Sequence, residues 1–142
     1  MVKFNRSNKN PILEPNEKKD WEAVAAFNPS VAFNGKKYFL LYRAVSTPQR
    51  RQGFELEISS VGCAEGNSYN SFKNTHELVK PEFYWEAFGC EDPRVTKFGD
   101  KYYIFYTALS TYPFSADGIK IGLAITKDFK KIEEKAFKEC AK

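Results

Sequence analysis

Two stretches of this chain repeat one another without a gap. Residues 28–46 read NPSVAFNGKKYFLLYRAVS, and residues 92–110 read DPRVTKFGDKYYIFYTALS. Eight of the nineteen aligned positions are identical, and each copy later reaches a similar tetrapeptide, VGCA at 61–64 and IGLA at 121–124. The period of about 60–64 residues is typical of one supersecondary unit used more than once.

Each copy has the pattern of antiparallel β-structure. In the first copy a short apolar strand leads to Asn34-Gly35, a strong two-residue hairpin signal, and then to an aromatic and aliphatic strand at 37–44. The second copy repeats this pattern and continues into a further strand at 119–126. We predict an all-β fold with two inner strands and one outer strand in each repeat. A β-propeller is favoured over a β-sandwich, because whole units are similar and not merely single strands.

Two segments depart from the repeat. Residues 47–58 contain a proline, a glycine and two arginines, and they are predicted to form a loop between strands. Residues 126–142 carry six lysines and four acidic residues. Within them Ile132, Ala136 and Cys140 recur at every fourth position, which predicts a marginal amphipathic helix whose lysines form the solvated face.

The composition excludes several classes of protein. The 142 residues suit a single domain, and 16% aromatic with 42% hydrophobic residues is far from the composition of disordered chains. A net charge of +4 without a clustered basic face does not indicate a nucleic-acid partner. No apolar run approaches the roughly 20 residues of a membrane helix, and the polar first ten residues contain no secretory signal. We expect a cytoplasmic protein.

Metal and nucleophilic chemistry have little support. Cys63, Cys90 and Cys140 are widely spaced and form no CxxC pair, which favours free thiols over a zinc site or disulfides. His76 is the only histidine, and without a second ligand nearby it is predicted to be a surface residue. The sequence contains neither GxSxG nor a glycine-rich phosphate loop.

Carboxylate and arginine chemistry remains, at equivalent points of the two repeats. Asp92 precedes a proline at the mouth of a strand, where it can either cap a turn or present its carboxyl group to a central channel. Asn28 is its counterpart in the first repeat. Arg43 ends an apolar strand where the second repeat has Thr107, so it needs a partner: a neighbouring carboxylate, a bound anion or a sugar hydroxyl.

The chain contains four ordered motifs, NPIL at 10–13, FNPS at 27–30, LLYRA at 40–44 and GCEDPR at 89–94. These motifs resemble the N-terminal signatures of glycoside hydrolase family 130, the β-mannoside phosphorylases and related β-mannosidases. The resemblance covers roughly residues 10–128.

The resemblance implies a five-bladed β-propeller, of which this chain would be about the first two blades. We expect one N-terminal fragment, 1–142, with blade-like units at about 22–80 and 86–130. Five blades of about 60 residues need about 300 residues. We therefore expect a truncated protein that is weakly active or inactive alone, because an incomplete ring leaves sheet edges uncovered. Self-association as a homo-oligomer, or a complementary fragment, would complete it.

The same resemblance implies roles for five residues. Asp92 would be the catalytic acid, which protonates the glycosidic oxygen through a hydroxyl of the mannose. Asn28 and Arg43 would hold the mannosyl residue at the point of cleavage. Ser30 and Arg94 are further substrate-binding candidates, and Arg94 can equally be a structural ion-pair partner.

The implied reaction is an inverting phosphorolysis of a β-mannoside oligosaccharide to α-mannose 1-phosphate. Inorganic phosphate is the co-substrate, and no cofactor is expected. Ordinary inverting glycosidases need a second carboxylate to activate water, whereas phosphate is already an anion and needs cations to hold it. Most of the family's phosphate-holding residues lie in later blades, so Arg50 and Arg51 are left unassigned.

Three alternatives stay open. Tyr84 and Trp85 can stack on the leaving sugar or lie in the core of a blade. A β-mannosidase of the same family would use water in place of phosphate. A non-catalytic carbohydrate-binding or interaction fragment would use the many aromatic residues without any turnover.

Overall fold

The computed structural model describes residue 3 and residues 5–139, and the regular structure in this part of the chain is mainly β-strand, as predicted. It contains ten strands and three short 3-10 turns, at Asp20–Glu22, Tyr84–Glu86 and Ala116–Gly118. The strands are β1 (Ala25–Phe33), β2 (Tyr38–Val45), β3 (Gln49–Arg51), β4 (Phe54–Leu56), β5 (Ser59–Ser68), β6 (Ser71–Val79), β7 (Gly89–Phe98), β8 (Lys101–Leu109), β9 (Ile119–Thr126) and β10 (Glu134–Glu139).

Eight of the strands form two antiparallel units of four. The first unit has the order β1-β2-β5-β6 and the second has the order β7-β8-β9-β10. A single parallel pair, Ser59 with Gly89, joins β5 to β7 and makes the two units one sheet. Each unit therefore has one more outer strand than the sequence predicts.

The first strand of each unit, β1 or β7, carries the same bulge. The register between β1 and β2 shifts between Phe27 and Ser30, and the register between β7 and β8 shifts between Glu91 and Arg94. At the bulge Asn28 has a φ of 49°, and Asp92 has a φ of 51°. Asn and Asp tolerate this left-handed conformation better than most other side chains do. Asp92 consequently lies inside strand β7, and the turn-capping interpretation is wrong.

The two hairpin turns differ between the repeats. In the second unit Phe98 pairs with Lys101, so the turn has two residues. In the first unit Phe33 pairs with Tyr38, which leaves four residues in the turn, and the two-residue prediction is wrong there. The side-chain oxygen of Asn34 accepts hydrogen bonds from the backbone N–H groups of residues 36 and 37, which closes the longer turn.

The two segments outside the repeat are also strands. Residues 47–58 form the β3–β4 hairpin, a two-stranded sheet of its own, where a loop was expected. The predicted helix at 126–142 is wrong, because residues 134–139 pair with β9 as an edge strand. Cross-strand pairing overrides the weak helical spacing of Ile132 and Ala136. The third member of that pattern, Cys140, lies outside the described residues.

The main hydrophobic core lies between the two units. Side chains of β2 and β5, such as Leu41 and Val61, pack in one cluster with Ile104, Tyr106 and Phe129 of the second unit. Cys63 and Cys90 are buried in the same cluster as free thiols, as predicted for these two cysteines. In the described part of the chain, no helix is long and apolar enough to cross a membrane.

A smaller cluster covers the opposite face of the first unit. Leu40, Tyr42 and Ala64 are buried there and pack against Ile12 and Trp21 of the N-terminal segment. The first unit is therefore covered on both faces. The second unit exposes Phe98, Phe105 and Ile121 among other apolar side chains.

Candidate active site

The two left-handed residues of the bulges touch each other. The side-chain amide nitrogen of Asn28 donates a hydrogen bond to Oδ1 of Asp92 over 2.8 Å. Their strands, β1 and β7, are the inner strands of the two units. The repeat thus places two equivalent positions, 64 residues apart in the chain, on either side of the junction between the units.

Arg43 lies beside this pair and is held from several directions. Its Nη2 is 2.6 Å from a carboxylate oxygen of Glu91, and its Nε donates a hydrogen bond to Oγ of Ser59 over 3.0 Å. The guanidinium carbon lies 5.0 Å from the centre of the Phe27 ring, a cation–π contact. These contacts hold the planar guanidinium group of Arg43 in one orientation. Of the partners that the sequence left open, the neighbouring carboxylate is present as Glu91.

The remaining side of the guanidinium faces Asp92. Nη1 of Arg43 lies 3.8 Å from Oδ1 of Asp92, the same oxygen that accepts the hydrogen bond from Asn28. Oδ2 of Asp92 has no partner among the described residues. The Asp92 side chain is 38% exposed, so Oδ2 can be reached by a ligand. Oδ2 is therefore the oxygen that a ligand can contact, while the hydrogen bond to Oδ1 holds the carboxyl group in place.

Two further sequence candidates lie next to the bulges without a described contact to Asn28, Arg43 or Asp92. The Ser30 hydroxyl accepts a hydrogen bond from the backbone N–H of Val95, which ties the first unit to the second over 3.1 Å. Arg94 is exposed, and its Nη1 donates to the carbonyl of the preceding proline over 2.9 Å. Arg94 forms no ion pair with the described residues, so that alternative finds no support.

The two aromatic candidates have different surroundings. Trp85 is 5% exposed and stacks between the rings of Phe83 and Phe137, so its place in the core is confirmed. Tyr84 is 76% exposed and meets Phe137 edge to face. His76 is half-buried, and its Nε2 lies 2.8 Å from the carbonyl oxygen of Phe129, so it is not a free surface residue. The described residues contain no group of three or more metal-binding side chains.

The sequence interpretation missed the groups that hold Arg43. Glu91 stands inside the GCEDPR motif, directly before Asp92, and was available as a partner. Phe27 begins the FNPS motif, but no pattern in the sequence indicates that its ring meets Arg43. Ser59 lies in no motif, and its contact with Arg43 comes from the pairing of β2 and β5.

The interpretation also missed a buried carboxylate in each repeat. The tripeptide Trp-Glu-Ala occurs at 21–23 and again at 85–87, at the same spacing of 64 residues as the main repeat. Glu22 and Glu86 are fully buried, and each accepts a hydrogen bond from a tyrosine hydroxyl, that of Tyr42 and that of Tyr106 respectively. Extending the alignment upstream by seven residues would have found both.

The second of these carboxylates binds a buried ammonium group. Nζ of Lys135, whose side chain is 4% exposed, lies 2.8 Å from Oε1 of Glu86 and 2.9 Å from Oε2 of Glu82. Burial works to lower the pKa of Lys135, but the hydrogen bonds to Glu86 and Glu82 outweigh it, and the pKa is raised. Burial, with smaller contributions from Cys90 and Glu86, raises the pKa of Tyr106 well above its ordinary value. This cluster is a structural support for the second unit.

Comparisons with known proteins show the family to which this chain is similar. The family model described as beta-1,4-mannooligosaccharide phosphorylase, glycoside hydrolase family 130, matches residues 3–139. A beta-1,2-mannobiose phosphorylase of Thermoanaerobacter sp. (strain X514) is 34% identical over 114 residues, which are 75% of this chain and 37% of that protein. A 1,2-beta-oligomannan phosphorylase of the same organism is 30% identical over 130 residues, 90% of this chain and 43% of that protein.

A solved structure of a β-mannoside phosphorylase has a similar fold. The structure of the beta-1,2-mannobiose phosphorylase from Listeria innocua, in complex with beta-1,2-mannobiose, superposes with a TM-score of 0.71 at 21% identity. The match covers 94% of this chain and 50% of that one. This chain spans about two fifths of the length of the curated relatives it matches. With a family match that runs over nearly all of its residues, the chain belongs to glycoside hydrolase family 130.

Proposed function

We propose that this chain carries the sugar-binding and proton-donating part of a β-mannoside phosphorylase. The observation that supports this most is the meeting of Asn28, Arg43 and Asp92 at the junction of the two units. The curated relatives act on beta-1,2-mannobiose and 1,2-beta-oligomannan, so β-1,2-linked mannosides are the substrates to test first.

In the proposed reaction Asp92 is the acid. Its proton passes through a mannose hydroxyl to the glycosidic oxygen, while the bond between that oxygen and the anomeric carbon breaks. A phosphate oxygen forms the new bond to the anomeric carbon from the opposite face. The products are α-mannose 1-phosphate and the free leaving sugar, and solvent returns a proton to Asp92. No second carboxylate is required, because phosphate attacks as an anion already.

The neighbouring residues orient the sugar in this scheme. Asn28 donates to Asp92 with its amide nitrogen, which leaves its amide oxygen to accept a hydrogen bond from a mannose hydroxyl. Arg43 presents the edge of a fixed guanidinium to the same space. Ser30 keeps a hydroxyl hydrogen to donate, and the exposed Arg94 can turn towards a ligand.

The two four-stranded units, we propose further, are two blades of a five-bladed propeller. Their equal strand order and the core between them support this division. The outer face of the second unit exposes Phe105 by 46% and Ile121 by 47%, and a following blade would cover these side chains.

Turnover by this chain alone is proposed to be weak or absent. Among the described residues, Arg43 is the cation that contacts Asp92, and it is already paired with Glu91. The same guanidinium cannot also clamp a phosphate group bidentately. The additional cations would have to come from a complementary fragment or from a second copy of the chain.

Incubation of the protein at high concentration with β-1,2-mannobiose, with and without inorganic phosphate, tests this function. We expect slow formation of α-mannose 1-phosphate that requires phosphate, and we expect Asp92→Asn to abolish it. Phosphorus NMR detects the product directly, and Arg94→Gln serves as a variant that keeps the acid.

Two results would replace the proposal. Mannose release at the same rate without phosphate would indicate the hydrolase of the same family. Sugar binding that is equal in the parent protein and in Asp92→Asn, with no turnover in either, would indicate a carbohydrate-binding fragment.

A further inference from the structure

The residues just before the two bulges are also equivalent in the repeat, and both contact Arg43. Phe27 lies 64 residues before Glu91, as Asn28 lies before Asp92. The ring centre of Phe27 lies 5.0 Å from the guanidinium carbon, and the carboxylate of Glu91 lies 2.6 Å from Nη2. One dipeptide from each unit thus supplies a contact to the arginine and one member of the Asn28–Asp92 pair.

The bulge in β7 makes this double use possible. In a regular strand successive side chains point to opposite faces of the sheet, so residues 91 and 92 could not both reach one guanidinium group. The register shift between Glu91 and Arg94 and the left-handed φ of 51° at Asp92 break this alternation. Consequently Glu91 and Asp92, neighbours in the chain, are two carboxylates that compete for the same cation, Arg43.

The two contacts are unequal. The 2.6 Å contact with Glu91 has the length of a charge-assisted hydrogen bond, whereas 3.8 Å from Nη1 to Oδ1 of Asp92 is too long for one. The side chain of Glu91 is 16% exposed and that of Asp92 is 38% exposed, so water screens the attraction to Glu91 less. A shift of the guanidinium by about 1 Å would nevertheless bring it into hydrogen-bond range of Asp92.

Such a shift would remove what the proposed reaction needs from Asp92. An arginine that forms two parallel hydrogen bonds with a carboxylate takes up both of its oxygens. The pair favours the charged form of the carboxyl group, which then has no proton to give. Oδ2 would also be lost as a contact for a ligand.

We propose that Glu91 is a positioning residue, which holds the guanidinium group of Arg43 away from Asp92 and so keeps Oδ2 of Asp92 open to the sugar. The effect passes through Arg43, and Glu91 itself need not touch the sugar. The consequence for binding rests on the proposed function, whereas the competition between the two carboxylates can be measured without any ligand.

Crystal structures of the parent protein, Glu91→Ala and Glu91→Gln test the competition directly. In Glu91→Ala we expect the distance from Arg43 to the nearest Asp92 oxygen to fall from 3.8 Å to about 2.9 Å. Glu91→Gln keeps the size of the side chain and an acceptor oxygen but not the charge, so the guanidinium should shift less. An unchanged distance in both variants would overturn the proposal.

Isothermal titration calorimetry with β-1,2-mannobiose tests the consequence at the site. We expect Glu91→Ala to weaken binding about tenfold, because Arg43 and Asp92 then occupy one another. Asp92→Asn removes the charge that attracts the guanidinium, so in that background Glu91→Ala should change the affinity by less than about twofold. A loss of equal size in both backgrounds would show that Glu91 only supports the fold, and would also overturn the proposal.

Glu65→Ala is the matched control. Glu65 forms an ion pair of the same length, 2.6 Å, with Lys37, and among the described residues it contacts none of those at the site. Its affinity for mannobiose should equal that of the parent protein. If the parent itself binds no mannobiose, the proposed function fails, while the distance in Glu91→Ala still decides whether Glu91 holds Arg43 away from Asp92.

Discussion

Each of the two repeats buries one glutamate, but the two glutamates have different partners. In each unit a fully buried glutamate accepts a hydrogen bond from a buried tyrosine, Glu22 from Tyr42 and Glu86 from Tyr106. The second carboxylate oxygen differs. In the first unit it accepts from the hydroxyl of Thr75, while in the second it binds the ammonium group of a buried lysine. The carboxylate of the first unit thus accepts mainly from hydroxyl groups, with Lys19 3.5 Å away, and that of the second unit contacts a buried ammonium group directly.

The surroundings of the two networks differ as well. Tyr42 packs in a cluster with Ile12 and Trp21 of the N-terminal segment, whereas Tyr106 packs in the core between the units. At the bulges, the first repeat has Asn28 where the second repeat has Asp92. The repeat therefore preserves the buried framework and changes the residues that meet at the site.

Adding a methyl group beneath either tyrosine tests the shared part of the framework and should have the largest effect. A Cβ at Gly62 would overlap the ring of Tyr42, and one at Gly122 would overlap the ring of Tyr106. We expect Gly62→Ala and Gly122→Ala to lower the free energy of unfolding by about 3 kcal/mol each. Denaturant unfolding measures the loss.

A smaller side chain at the tyrosine provides the control for this test. In the Tyr106→Ala background the added methyl group has room, so Gly122→Ala should then cost much less. Equal costs in both backgrounds would show that the tyrosine ring is not the reason why glycine occupies position 122.

Replacing each of the two buried glutamates by glutamine tests whether the two networks contribute differently to stability. Glu86→Gln leaves the buried ammonium of Lys135 with the half-exposed Glu82 as its one carboxylate among the described residues, beside the carbonyl of Lys80, and we expect a loss of about 3 kcal/mol. In Glu22→Gln the amide oxygen accepts from one of the two hydroxyl partners, and the amide nitrogen donates to the other. Lys19 lies 3.5 Å away, so a loss of about 1 kcal/mol is expected. Thermal unfolding of both variants gives the difference, and equal losses would contradict the distinction between the two networks.

Making the bulges identical tests the divergence at the site. Asn28→Asp retains a residue that tolerates a positive φ, but it replaces the donor to Asp92 by a second carboxylate. We expect mannobiose binding at this site to weaken about tenfold, with little change in stability at this exposed position. Asn28→Gly, which removes the donor without adding a charge, should weaken binding less. Isothermal titration calorimetry of the parent protein and the two variants measures their affinities for mannobiose. Equal affinities would exclude a role for Asn28 in binding.

Alkaline pH should give the smallest effect, and it acts on the core between the units. Burial, and to a lesser degree Glu65, raises the pKa of Cys63 to about 12 from 9.0. The unfolded thiol ionises first, so this contribution to stability is present below about pH 9 and is lost as the pH rises towards 12. At pH 10 the loss is about 1 kcal/mol, and Cys63→Ala should remove that part of the pH dependence. A pH series of unfolding curves for both proteins measures it.

The sequence predicted the parts of the fold that depend on local alternation. Strand β9 matches its predicted range of 119–126, and β2 and β8 were located within one residue of the predicted bounds. Strands β1 and β7 end where predicted but begin six residues earlier than the short strands that the sequence indicated. Strand β10 was missed because its inward side chains, Lys135 and Phe137, bind partners in the Tyr84–Glu86 turn region that no local pattern reveals. An internal lysine in particular is indistinguishable from a solvated one until its carboxylate is located.

The candidate site residues could be predicted only from the aligned repeats and from the position of an arginine in an apolar strand. Asn28 and Asp92 could be paired because they align in the repeat, and Arg43 because it interrupts an apolar strand. Whether these residues meet depends on the approach of β1 to β7, which is a property of the assembled sheet. The proposed roles of all five candidate residues remain predictions, and the variants above test those of Asn28 and Asp92.

The single ladder pair between Ser59 and Gly89 has a mechanical consequence. Because only one described strand pairing couples the two halves, side-chain packing must supply most of the stiffness between them. A sugar that bridges positions 28 and 92 would clamp this seam from the outside. Slower hydrogen exchange at the Ser59–Gly89 seam would then report occupancy of a site that lies on the neighbouring strands.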